Sequence, residues 1–171
     1  MIRRSRSVIV LGWLLVMLVA GYSIFSKEYV LRKGTWVLLE LAPVDPRSLM
    51  QGDYMQISFA IDEQIAVWLQ ARGKQGEQGY VHIRLDELQR GEFLRIAAKP
   101  AREAGVYSLK LRYQAGRYSV GPNAFFFQEG TAEQLQQARW GGLRIAANGD
   151  AMLVSLHDQD LARLSPLMPA F

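Results

Sequence analysis

VIVLGWLLVMLVAGYSIF, Val8 to Phe25, runs 18 residues without a charge. Wound as an α-helix it would reach about 27 Å, close to the hydrocarbon thickness of a bilayer. The stretch ahead of it, MIRRSRS, holds Arg3, Arg4 and Arg6, whereas Lys27 and Glu28 just beyond cancel one another. By the positive-inside rule the amino terminus stays in the cytoplasm. The expected layout is therefore a basic cytoplasmic tail over residues 1–7, a transmembrane signal-anchor helix over 8–25 and an exported domain over 26–171. A cleavable signal peptide is the rival reading, with Val19-Ala20-Gly21 or Gly21-Tyr22-Ser23 as the small-residue cleavage site. Either way residues 8–25 meet the lipid bilayer and the rest of the chain is exported.

Composition agrees with one folded unit beyond that segment. The chain has 171 residues, half of them hydrophobic, enough for one ordinary core. Its net charge of +4 owes much to the three leading arginines; beyond Phe25 stand 17 Lys and Arg against 16 Asp and Glu. A nearly neutral domain argues against nucleic acid as a partner. Cysteine is absent, so neither a disulfide framework nor a thiolate metal site is available.

Outward from the apolar run, hydrophobic residues begin to alternate, which is the period of strands. WVLLEL (36–41) reads as a buried strand. YMQISFAI (54–61) sets Met55, Ile57, Phe59 and Ile61 on one face, YVHIRLDEL (80–88) sets Val81, Ile83 and Leu85 opposite Tyr80, His82 and Arg84, and YSLKLRYQ (107–114) repeats the pattern. In LRIAANGDAMLVSL, Asn148-Gly149 predicts a type I′ hairpin pairing Leu143–Ala147 with Ala151–Leu156. TAEQLQQAR (131–139) reads as a short helix with a Thr cap and Gly141 beyond it. DEQIAVWLQARG (62–73) suits a helix begun by Asp62 and stopped at Gly73, although IAVWL equally suits a strand. The fold class expected is mainly β (α+β), one unit with one or two short helices.

PVDPRSLMQGDYMQISF (43–59) concentrates turn chemistry. Pro43 and Pro46 fix their own φ and push their predecessors towards extended geometry, Gly52 reaches conformations closed to other residues, and Asp53 accepts local backbone hydrogen bonds. These constraints describe a strand-loop-strand corner. The same stretch resembles the motif of the GDYXXLXY family: it stands here as GDYMQISF, Gly52 to Phe59, with Ile57 for the motif's Leu and Phe59 for its last Tyr. FFFQEGTAEQLQQARWGGLRIAANGDAMLVSL (125–156) is similar to the family's second half. The resemblance marks Pro43, Asp45, Pro46 and Arg47 on the approach, Gly52, Asp53, Tyr54, Ile57 and Phe59 in the motif, and Glu129 and Gly130 before the small helix, as structural or interaction positions. It implies a protein of the bacterial inner membrane with a periplasmic domain, and its gene neighbours imply a multi-span membrane protein as a partner.

An envelope hydrolase is the alternative, because PVDPRSLMQGDY distantly resembles a region of type I signal peptidases. Aligning Pro46 with that motif's proline places Pro43 at the nucleophile position, and proline has no side-chain oxygen with which to attack. Ser48 is close in sequence but off that position, and Lys99 or Lys110 would need the fold to bring it to Ser48 as a base. His157 with Asp158 and Asp160 lacks the ligand spacing of a metal site, and a solvated cluster explains it. No cofactor is indicated. Phe125-Phe126-Phe127 must bury at least one ring if it is a strand, and Glu129 opposes an anion site at Gly130. The residues thus favour a non-catalytic interaction or accessory module.

Overall fold

The computed structural model describes residues 2–42, 54–74, 76, 78–114, 116–126 and 135–164. In chain order these form α1 (Ile2–Lys33), β1 (Thr35–Glu40), β2 (Tyr54–Gln56), α2 (Ala60–Gln70), β3 (Gly79–Leu85), β4 (Gly91–Ala97), β5 (Val106–Gln114), β6 (Arg117–Ser119), β7 (Ala124–Phe126), β8 (Trp140–Ile145) and β9 (Ala151–His157). The fold is mainly β, with antiparallel strand pairs and two helices among the described residues. Three sheets result, ordered β1-β8-β9, β2-β7 and β4-β3-β5-β6. A parallel bridge from Leu38 to Arg90 joins the first to the last. Val37, Leu39, Ile65, Leu69, Val81, Ile83, Leu109, Leu143 and Leu156 are all at most 1% exposed and form one core between the sheets and α2.

α1 is longer than the apolar run because SKEYVLRK (26–33) contains no helix breaker and adds a Glu28–Arg32 pair at 2.8 Å. Its segment from Val10 to Lys33 is long and apolar enough to cross a membrane. Large side chains from Val10 to Phe25 are exposed, so no described part of the domain folds back along them. The helix stops at Gly34, whose N–H donates to Val30 O at 2.8 Å. There Val30 is buried, and the Arg144 guanidinium donates to Gly34 O at 3.0 Å. One residue separates α1 from β1.

The strand expected over residues 54–61 ends at Gln56, and the chain is helical from Ala60. Ile57, Phe59 and Ile61 are buried as the alternation requires, but only the first two do so in extended chain: Ile57 N–H donates to Asn123 O at 2.9 Å, and Phe59 bridges Leu41. Asp62 decides between the two readings of the segment that follows. It is not the residue that begins the helix but lies three beyond its cap, where its carboxylate accepts the Phe59 N–H at 3.1 Å. Past the last turn, Gly73 takes φ +65° and Lys74 N–H donates to Leu69 O at 3.0 Å, closing the end.

The hairpin at Asn148-Gly149 forms, in a different geometry. Only Gly149 has positive φ (+84°); Gly149 N–H donates to Ala146 O at 2.9 Å and Ala146 N–H to Asp150 O at 2.8 Å. This is the three-residue loop of a type I turn with a Gly bulge, one residue longer than type I′. The paired strands accordingly shift to Trp140–Ile145 and Ala151–His157. Of the helix expected over 131–139, Thr131 to Gln134 lie outside the described residues, Leu135 is helical and buried, and Ala138 and Arg139 are past the helix, with Arg139 N–H already donating to His157 O.

Candidate functional site

Phe59 is the pivot of the region. Its ring is 1% exposed and occupies a slot lined by glycines: a Cβ at Gly121 would stand 2.7 Å from Phe59 Cε2, and one at Gly141 3.1 Å from Cε1. Side chains there would displace the ring. With the ring seated, α2 starts against the segment that follows β6, and Asp62 spans the junction. One carboxylate oxygen accepts Phe59 N–H, and the other accepts Val120 N–H at 3.2 Å across 58 positions of sequence. Burial pushes the Asp62 carboxyl up to about 6 against the pull of those two donors. A carboxyl so placed exchanges its proton near neutral pH.

Beside Asp62 opens a groove of about 620 Å³ between α2 and the ribbon of β5 and β6. Ser58, Arg112, Gln114, Arg117 and Asn123 line it with Asp62. A second hollow of about 490 Å³ continues it past Tyr118 towards Gln70. The Tyr118 hydroxyl oxygen accepts Gly76 N–H at 2.6 Å and its ring lies 4.7 Å from that of Tyr113, which sets that wall. On the other flank of α2 a smaller hollow of about 340 Å³ takes in Gln64, Asp86, Arg90, Glu92 and Trp140. Two of its charges pair with one another: Arg90 Nε donates to Asp86 at 2.6 Å, and the guanidinium lies 5.7 Å from the Trp140 ring centre.

Of the positions singled out from sequence, Pro43, Asp45, Pro46, Arg47, Gly52, Asp53, Glu129 and Gly130 lie outside the described residues, as does Ser48. Tyr54 pairs with Phe126 in β2-β7, and Ile57 and Phe59 are core. Phe125 is buried, as a strand requires of at least one ring in this run. Lys110 is held 2.8 Å from Asp150, and Lys99 takes part through its carbonyl, 3.0 Å from His82 Nε2. His82, on the strand face expected to be polar, is buried, because the chain after β4 crosses it: Ala101 N–H also donates to Ser108 Oγ there, at 2.7 Å. The terminal cluster lies at the surface as expected, with His157 and Asp158 half-buried and Asp160 exposed, and its bonds are local. His157 bonds Leu161 O through Nδ1 and Ser155 Oγ through Nε2, both at 2.9 Å, while Asp158 accepts the N–H of Asp160 and of Ala162. Among the described residues no three His, Asp or Glu side chains gather as metal ligands.

Asp62 was legible only as a helix start, and Arg112 and Gln114 only as the polar face of a strand. The β5-β6 register sets Arg112 and Gln114 beside Arg117, and the Val120 N–H bond ties Asp62 to the end of that ribbon; neither contact is marked by a local pattern. A family model described as GDYXXLXY protein matches residues 16–156. No curated protein and no solved structure matches the chain.

Proposed function

The chain belongs to the GDYXXLXY family, and from that premise we propose that it is a non-catalytic accessory module, anchored in the bacterial inner membrane, that docks its periplasmic domain onto a multi-span membrane protein. Arg3, Arg4 and Arg6 before the apolar run favour a cytoplasmic amino terminus. The observation that carries this reading is the joint at Gly34. α1 passes into β1 through one residue, and the buried Val30 and the Arg144–Gly34 bond fasten its last turn to the sheet. A domain so fastened keeps a fixed height and orientation over the bilayer. Docking on a neighbour in the same membrane then loses less orientational freedom than it would through a flexible tether.

Purification of the full chain from membranes tests this, beside a variant with a flexible Gly/Ser linker inserted after Lys33. Stoichiometric recovery of a multi-span protein with the natural chain and its depletion with the linker variant are expected. Equal recovery would reject the fixed joint as the basis of docking, and no membrane partner with either chain would reject the module. A reporter fused after Phe171 should be active outside the cytoplasm, and cytoplasmic activity would reverse the orientation.

A further inference from the structure

We propose that the groove between α2 and the β5-β6 ribbon binds an extended acidic segment of the partner protein, gripped by Arg112 and Arg117; this rests on the accessory reading above. Register supplies the first argument. Arg112 pairs with Ser119 and Gln114 with Arg117, so all four side chains stand on one face of the ribbon and the arginines are diagonal neighbours. Diagonal positions lie about 7–8 Å apart. Alternate residues of an extended chain lie about 7 Å apart on the same side, so two acidic side chains one position removed from each other meet the two guanidiniums in step.

The second argument is that these cations are uncommitted. Among the described residues the Arg117 side chain makes no hydrogen bond or ion pair, and the Arg112 side chain exerts only a longer-range attraction on Asp150, a carboxylate already bonded by Lys110 and Asn148. Asp62, the carboxylate of the groove, is engaged by two backbone N–H groups and forms no salt bridge with either arginine. Ser58, Gln114 and Asn123 likewise make no side-chain hydrogen bond among the described residues and are free to pair with the amides of a bound chain. Guanidinium and carboxylate match as forks, which sets orientation as well as strength.

Position favours a protein segment over lipid headgroups. β1 leads from the end of α1 for six residues, about 20 Å, before Leu41 bridges Phe59 and Ala42 N–H donates to Ser58 O at 2.8 Å. The groove therefore opens a strand's length from the point where the helix enters the domain.

The test uses the detergent-solubilised full chain and a dye-labelled nonapeptide of alternating Glu and Ser, read by fluorescence anisotropy at low salt, with a Lys/Ser peptide as its counterpart. The acidic peptide should bind and the basic one should not. Arg112→Gln and Arg117→Gln should each weaken binding about tenfold, the double variant should abolish it, and Arg102→Gln should leave it unchanged. Arg112 and Arg117 are exposed, and unaltered melting would show both variants folded; Arg117→Lys, which keeps the charge and loses the fork, should fall between. No binding of the acidic peptide, binding indifferent to the substitutions, or equal retention of the basic peptide would overturn the proposal. So would tighter capture by phosphatidylglycerol vesicles that the same variants abolish, which would make the ligand a lipid. If the peptide fails while a membrane partner is still recovered, the groove assignment falls and the accessory module stands; if the peptide binds and no partner is recovered, the reverse holds.

Discussion

Asp62, in the first turn of α2, and Asp86, just past β3, each stand beside a hollow and each cap backbone N–H groups, yet their carboxyls shift in opposite directions. Asp86 accepts Leu88 N–H at 2.9 Å and Arg90 N–H at 2.8 Å with one oxygen and the Arg90 guanidinium with the other. The Arg90 N–H first, with its guanidinium, holds that carboxyl below its ordinary value. Asp62 accepts two N–H groups and no cation, and burial outweighs them. Similar capping geometry therefore gives opposite electrostatics, decided by water and by the engagement of a cation. The arginines beside Asp62 remain available to something else, whereas Arg90 is already satisfied within its own turn.

The contrast breaks most completely if the seat of Asp62 is removed. Phe59→Ala empties the slot at Gly121 and Gly141 and should cost about 3–5 kcal/mol in denaturant unfolding of the solubilised chain. A loss under about 1 kcal/mol would show that neighbouring segments collapse into the space and that the ring does not position α2. Asp62→Ala should come next, at about 2 kcal/mol, because it leaves the N–H groups of Phe59 and Val120 without their acceptor. Asp62→Asn keeps one acceptor oxygen and should cost less. If Asp62→Ala were neutral, the bond to Val120 would not be what fixes the groove wall.

Much of this arrangement could be read from residues alone, and the rest fails for identifiable reasons. β3 and β5 form where their alternation places them and bury Val81, Ile83, Leu109 and Leu111, but His82 and Ser108 on the other face are buried too, under the chain after β4, and Tyr113 is exposed. β1 is buried on both sides, as its near-continuous apolar run requires. α1 exceeds its apolar run because hydropathy marks what lipid tolerates, while the helix continues until Gly34 interrupts it. The strand expected over 54–61 overran because Ile57, Phe59 and Ile61 keep a period of two; the helix begins earlier, at Ala60, where Asp62 caps Phe59 N–H and also accepts Val120 N–H from far along the chain. Asn148-Gly149 suits both hairpin loops, and the difference is a single residue. The groove was not legible at all, since Ser58, Asp62, Arg117 and Asn123 meet only through pairing and packing.

Acid sharpens the contrast. The Asp62 carboxyl has a folded pKa of about 6 against an ordinary 3.8, so the folded chain takes up this proton at a higher pH than the unfolded one. The penalty on its charged form is fully present above pH 6 and is relieved as pH falls towards 3.8, so this group's contribution to stability rises with acidification. Asp86 is held down by Arg90; Asp150 is pushed up by partial burial but held down more strongly, chiefly by Lys110 and Asn148. Both lose their stabilising contributions only below about the ordinary carboxyl value. Between pH 7.5 and 4.5 the unfolding free energy of the natural chain should therefore gain on that of Asp62→Asn. A difference that stays flat across this interval would mean that water reaches Asp62 and burial does not govern it.

The smallest effect should come from Asp86→Ala. The pair it removes lies at a surface turn where 41% of the Arg90 side chain is exposed, and exposed ion pairs contribute little because solvent screens them. Leu88 and Arg90 N–H groups can turn to water, and the Arg90 guanidinium keeps its place by the Trp140 ring. What the turn loses is local: Gln89 holds φ +63°, a conformation unfavourable to a residue with a Cβ, and Asp86 helps to secure it. The melting temperature should drop less than in Asp62→Asn, and 1 M salt should narrow the gap to the natural chain, as screening weakens the pair that remains there. If Asp86→Ala instead matched Asp62→Ala at low and high salt alike, hydrogen-bond count rather than burial would rank the two carboxylates, and the separation between a carboxylate paired with a cation and one held by burial would fail.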